Sequence, residues 1–170
     1  MLQVLISIQA LVLNEKPYFN EPGYERSANS ADGQKRALEY NDTTFQYSCR
    51  TMLYSLRRPP QHFEDLVAGH FRERGRAILA ACKYYMEGHK VGSRVPEEEG
   101  KEESENGEGS SSSIAVKPQH NKSALQTGRS PSFRTNVGVL FEELLMEFNV
   151  KGADTVKFRA EKLKNQPPAT

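Results

Sequence analysis

Tryptophan is absent from the 170 residues, and there are only 2 cysteines, Cys49 and Cys82. Two cysteines cannot frame a disulfide scaffold, so a reducing, intracellular setting (cytoplasm or nucleus) is the expectation. Cys49, His62, His70, Cys82, His89 and His120 show no paired ligand spacing of the zinc type, so no metal site is expected. Neither a phosphate-cradling glycine loop nor a Gly-x-Ser-x-Gly elbow occurs, and nothing calls for a cofactor. An excess of one charge is also missing. With 23 Lys+Arg against 22 Asp+Glu, bulk charge gives no reason to expect a nucleic-acid partner. The apolar segment 1–13 is too short for a bilayer that needs about 20 residues, so no membrane span is expected. It lacks a basic lead-in and a small-residue cleavage site, which argues against a secretion signal.

What is present is unevenly spread. All 7 tyrosines and half of the 8 phenylalanines precede residue 91, and residues 92–132 contain no Phe, Tyr or Trp. This divides the chain into three parts: residues 1–91, an acidic and Ser-rich linker at 92–133, and a C-terminal amphipathic helix with a tail at 134–164. The linker begins with the run Glu97-Glu98-Glu99 and carries Ser110 to Ser113. Such a composition cannot bury enough apolar area to offset about 1–2 kcal/mol per residue of lost backbone entropy, which predicts disorder.

Helical periodicity dominates elsewhere. Leu2, Leu5, Ile8, Leu11 and Val12 recur at helical spacing and predict a buried helix over 2–13, stopped by Pro17. Residues 25–39 are rich in charge, with Asn29 and Gly33, and read as a solvated loop. A second helix is expected to start near Asn41 or Asp42, with Phe45, Cys49, Met52, Leu53 and Leu56 on one face, and to end at Pro59-Pro60. A third carries Phe63, Leu66, Val67, His70 and Phe71, then Ile78, Leu79, Cys82, Tyr85 and Met86; Gly75 either breaks it or weakens it. A last helix over about 137–150 places Leu140, Phe141, Leu144, Leu145 and Phe148 on a stripe, with Gly152 as the stop. The expected fold class is therefore mainly α.

Cys49 and Cys82 lie on apolar stripes, where a free cysteine acts as a small hydrophobe, and neither has an activating base or helix N-terminus nearby in sequence. Arg57, Arg58, Arg72, Arg74 and Arg76 are interleaved with Glu64, Asp65 and Glu73, the pattern of a solvated, ion-paired face. The residues alone disclose no catalytic centre.

The segment 3–24, ending in Pro17-Tyr18-Phe19-Asn20-Glu21-Pro22-Gly23-Tyr24, resembles part of the large ubiquitin-conjugating enzymes: the plant large conjugating enzymes and the animal giant conjugating enzyme/ligase hybrids. The resemblance continues through Tyr40-Asn41, Thr51 to Pro60, Phe63-Glu64 and Gly69-His70-Phe71, covering about 1–91, with a weaker match in 138–158. It implies the C-terminal helical part of an α/β ubiquitin-conjugating domain, with sheet, first helix and catalytic cysteine absent from this sequence. The family works by carrying ubiquitin as a cysteine thioester, which splits one acyl transfer into two easier steps. By this resemblance the partners are ubiquitin, a ubiquitin-activating enzyme and a ubiquitin ligase. Ile6 and Ala10 fall on the helix against which ubiquitin docks, and Glu21 matches an acid flanking the active site. Cys49 and Cys82 do not match the catalytic position, so no catalytic residue is assigned and the chain is expected to be inactive alone. The alternative is a non-catalytic helical fragment that binds ubiquitin or a ligase.

Overall fold

The final long helix in the sequence holds the other two long helices together. The computed structural model describes residues 2–9, 14–96 and 130–164. Its elements are α1 (Leu2–Ser7), two 3-10 turns (Pro17–Asn20 and Tyr24–Ser27), α2 (Ala31–Arg57), α3 (Glu64–Met86), α4 (Pro131–Val150) and α5 (Val156–Lys164). The architecture is mainly helical, with no strand among the described residues.

α4 packs against both α2 and α3, and these touch each other far less. It inserts Phe133, Val137, Leu140, Leu144, Leu145 and Phe148 into one core. That core receives Cys49, Leu53 and Leu56 from α2, and Phe71, Leu79, Cys82 and Tyr85 from α3. Each fully buried Leu or Phe contributes about 1.5–3 kcal/mol, so the α4 stripe is a dominant source of cohesion. Ion pairs rim the core. Arg57 donates to Glu143 and Glu147, both at 2.7 Å and one helical turn apart on α4. Arg76 meets Asp154 at 3.3 Å, Lys83 meets Glu161 at 2.6 Å, and Lys162 pairs with Glu142. Arg57 and Arg76 thus find partners far away in sequence, beyond the local acids expected to neutralise them. Such exposed pairs set alignment more than stability, at about 0–1 kcal/mol each.

Three boundaries differ from the sequence expectation. α2 starts at Ala31, not near Asn41 or Asp42, and residues 25–39 are a 3-10 turn followed by helix rather than a loop. Its N-cap is Ser30, whose Oγ accepts from the Gly33 N–H at 3.0 Å. The charges that suggested solvation pair along the helix, Asp32 with Arg36 at 2.9 Å and Lys35 with Glu39 at 3.8 Å. Gly33 fits because a Cβ there would lie 2.1 Å from the Ser27 carbonyl oxygen. α4 begins at Pro131, before the expected 137, with proline in its first turn where its missing N–H is harmless. The tail contains a further helix, α5, anchored by buried Phe158. Most of the expected linker, residues 97–129, lies outside the described residues.

α1 forms, yet the expected burial does not follow. None of its residues is buried among the described residues; Leu2 is 71% and Ile6 55% exposed. Residues 10–13 of the expected helix lie outside the described set.

α3 runs unbroken through Gly75, which settles the two readings of that glycine. α4 ends in a Schellman turn: Gly152 has φ 81°, Ala153 N–H donates to Phe148 C=O at 2.9 Å, and Gly152 N–H donates to Asn149 C=O at 3.1 Å. Arg72 Nε adds a bond to Lys151 C=O at 3.1 Å. This turn presses on α3 at Gly75. A Cβ there would meet Ala153 Cβ at 3.0 Å and Phe148 Cγ at 3.1 Å.

Two glycines of one helix should therefore respond oppositely to alanine. Gly75→Ala overpacks the crossing and should destabilise by about 1–3 kcal/mol. At Gly69 a Cβ would meet nothing within 4 Å, so Gly69→Ala should stabilise by about 0.5–1 kcal/mol. Urea midpoints of the two variants check this; shifts of the same sign would refute the close-approach account.

Candidate functional site

The residues singled out by the resemblance lie on α1 and on the turn segment that leads into α2. Glu15, Lys16 and the first 3-10 turn are tied to α2 by side chains of that helix. Asn41, buried in mid-helix, donates Nδ2–H to the Glu15 carbonyl at 2.9 Å. Lys16 Nζ donates to Gln34 Oε1 at 2.6 Å. A buried amide that lost such a partner would cost about 1–3 kcal/mol, so Asn41 fixes where this segment sits. Asn41 is thus an anchor, not the helix cap expected from its residue type.

The segment is shaped by its aromatics. Tyr18 stacks on Tyr24 with centroids 4.7 Å apart and planes at 14°, meets Phe19 edge-on at 5.2 Å, and lies 6.0 Å from Tyr40 of α2. The turn between the two 3-10 elements depends on Gly23, whose φ of 93° favours a residue without Cβ. Its N–H donates to Glu25 Oε2 at 2.5 Å. Glu21 sits at this turn with extended backbone (φ −74°, ψ 134°), and its carbonyl accepts from the Tyr24 N–H at 3.2 Å. Its side chain is exposed to solvent. Ile6 is exposed on α1. Ala10 lies outside the described residues. Ile6 and Glu21 therefore occupy two separate exposed elements.

Beside the anchored segment runs an open groove of about 430 Å³, lined by Pro17, Asn41, Phe45, Ser48 and Val91 among others. No sequence signal points to it, because its walls come from three distant stretches of chain. The hydroxyls in its lining, Thr44 and Ser48, donate to the backbone carbonyls of Tyr40 and Thr44 at 2.8 and 3.0 Å.

The thiols are elsewhere. Cys49 and Cys82 are free, wholly buried and in mutual contact, with Sγ···Sγ at 4.0 Å. The contact with Cys49, reinforced by burial, pushes the Cys82 thiol far above its ordinary value. A protonated thiol in a closed core is a poor nucleophile. Among the described residues no group of three or more His, Cys, Asp or Glu could hold a metal ion, and no helix is long and apolar enough to cross a membrane. What these elements offer is surface: an aliphatic helix face and a rigid aromatic turn bearing a carboxylate.

No family model and no solved structure matches the chain. Curated relatives do. "Probable ubiquitin-conjugating enzyme E2 24" of Arabidopsis thaliana is 41% identical over 156 residues, 92% of this chain and 14% of that protein. "Probable ubiquitin-conjugating enzyme E2 23" of Arabidopsis thaliana is 54% identical over 92 residues, 54% of this chain and 8% of that protein. The dual E2 ubiquitin-conjugating enzyme/E3 ubiquitin-protein ligase BIRC6 of Homo sapiens is 38% identical over 86 residues, 50% of this chain and 2% of that protein. The chain spans only a small part of each of these proteins. It is a homologue of a segment of the large ubiquitin-conjugating enzymes.

Proposed function

We propose that the chain supplies the helical part of an α/β ubiquitin-conjugating fold and serves protein ubiquitination, while forming no ubiquitin thioester on its own cysteines. The similarity to ubiquitin-conjugating enzymes supports the pathway. The single observation that carries the second half is the burial of both thiols against each other. An acceptor must present its thiolate to the activated ubiquitin C-terminus, and neither cysteine has any surface exposed for that attack. In this reading the family's catalytic cysteine, its sheet and its first helix belong outside this sequence. Glu21 is the acid that orients an incoming lysine, and the α1 face with Ile6 and Ala10 is where ubiquitin docks. Ubiquitin, its activating enzyme and a ligase are the partners, in the cytoplasm or nucleus.

A second reading is favoured by the exposure of α1: a non-catalytic module that binds ubiquitin or a ligase through that helix. Leu2, Val4, Leu5, Ile6 and Ile8 are all exposed, an apolar surface that gains from being covered.

Two measurements test these readings. Incubating the chain with activating enzyme, ATP and ubiquitin should yield no adduct sensitive to reducing agent. An adduct abolished by Cys49→Ser or Cys82→Ser would overturn the first. Titrating isotope-labelled ubiquitin with the chain should shift ubiquitin amide resonances, and Ile6→Asp should weaken binding about tenfold or more, the loss of one well-buried aliphatic contact. Unshifted spectra at high chain concentration would remove ubiquitin as a partner of the α1 face.

A further inference from the structure

Phe45 of α2 meets Tyr85 of α3 edge-on, with centroids 5.1 Å apart. One turn further along α2, and one turn back along α3, Cys49 meets Cys82 with Sγ···Sγ at 4.0 Å. The two contacts are successive rungs of one antiparallel seam. Cysteine is the short rung, so its two side chains touch only because the helix backbones come close there. Both thiols are free, and the chain has only these 2 cysteines, so a bond between them has no competing pairing within the chain.

Distance and freedom of movement both favour such a bond. A disulfide has an S–S length of about 2.05 Å, so the sulfurs must close by about 2 Å. A change of χ1 rotamer moves a sulfur farther than that. α2 and α3 also touch each other little, so a small adjustment between them disturbs few direct contacts. In the unfolded chain the cysteines lie 33 positions apart, which holds them at an effective concentration of about millimolar. Folding replaces that loose tether with contact.

Access sets the timing. Both cysteines are 0% exposed, in the core that α4 completes. With α4 docked, a reagent the size of glutathione does not reach them. Whichever state they hold when α4 docks is therefore kept until α4 leaves.

We propose that Cys49 and Cys82 are a redox-sensitive latch set as the chain folds: a small-molecule disulfide joins them, tying α2 to α3, and docking of α4 seals the bond. One cysteine thiolate attacks glutathione disulfide, forms a mixed disulfide and releases one glutathione. The second thiolate attacks the cysteine-side sulfur, forms the Cys49–Cys82 bond and releases the other glutathione. The cysteines give up two electrons and two protons, and glutathione disulfide takes them up as two thiols. In a reducing medium the same fold closes over two free thiols, the state of this structure. Latched, α2 and α3 hold each other directly as well as through α4.

The full chain, unfolded in urea with its thiols either reduced or linked, is dialysed slowly into native buffer at a series of ratios of glutathione to glutathione disulfide. Acid quenching and mass spectrometry give the fraction that has lost two hydrogens, and so the effective concentration of one thiol toward the other, in native buffer and in urea. The folded chain should show a value about tenfold or more above the unfolded one, the equivalent of a bond that the fold favours. Linked and dithiol forms should share one circular-dichroism spectrum, and Cys82→Ala should give mixed disulfide only. A folded value no higher than the unfolded one would overturn the latch, as would a linked chain that fails to fold. The seal is tested by moving each folded form into the opposite buffer. Gly75→Ala, which loosens the α4 crossing, should change state about fivefold or more faster than Gly69→Ala, because exchange passes through the opened chain. Equal rates would overturn the part played by α4.

Discussion

The crossing of α4 over α3 at Gly75 is the constraint on which the rest of the structure depends. The approach is so close that a single methyl group would touch both Phe148 and Ala153. Phe148 also stacks on Phe71, with centroids 5.7 Å apart and planes at 24°. Because α2 and α3 meet each other little, α4 completes the core for both. The same arrangement sets the contact between Cys49 and Cys82, since their spacing follows from how α4 holds their helices. The burial of both thiols is thus a consequence of packing supplied from the far end of the chain.

Much of this is legible in the sequence. Periodicity alone picks out the stripes Cys49, Leu53, Leu56 and Leu79, Cys82, Tyr85, and all six residues are buried. Gly152, a stop by residue type, forms the Schellman turn. The first turn of α3 departs from its stripe: Phe63 and Leu66 are exposed, because the helix begins before it reaches α4. The start of α2 is hidden for a different reason. Gly33 and the charges of 32–39 resemble loop composition, whereas Ser30 as cap and the i,i+4 pairs signal helix. A glycine required by the close approach of Ser27 looks, in sequence, like a glycine required by a turn.

The candidate site is legible only through similarity. Nothing in periodicity or charge distinguishes Glu21 from another turn carboxylate, or Ile6 from another aliphatic residue of an apolar helix. What the structure adds is rigidity. The turn bearing Glu21 is held by the Tyr18–Tyr24 stack and by Asn41 reaching to Glu15. The Asn41 bond spans 26 positions and joins a helix to a loop. Such a contact is fixed by tertiary geometry, so the residue type alone points to a cap. The arginines show the same limit. Arg57 has Glu64 and Asp65 as its nearest acids in sequence yet closes on Glu143 and Glu147 in space.

Two exposed surfaces remain, and their chemistry suits them to different kinds of contact. The exposed surface of α1 is largely aliphatic, with Gln3 and Ser7 its polar side chains, so a fitted cover for it is mostly apolar. The α2 face with Tyr40, Tyr47 and Tyr54 keeps phenol hydroxyls and guanidinium groups that remain comfortable in water when the surface is bare. Its rings still supply large, stiff contact area when it is covered, at a low entropy cost. A surface that is stable both wet and dry is what a reversible partner requires. α1 and α2 are separate elements, and the turn segment carrying Tyr18 and Tyr24 joins the tyrosines of α2 to the region of Glu21. Through the Tyr18–Tyr40 contact of 6.0 Å, the exposed tyrosines of α2 and the turn that holds Glu21 form one continuous surface.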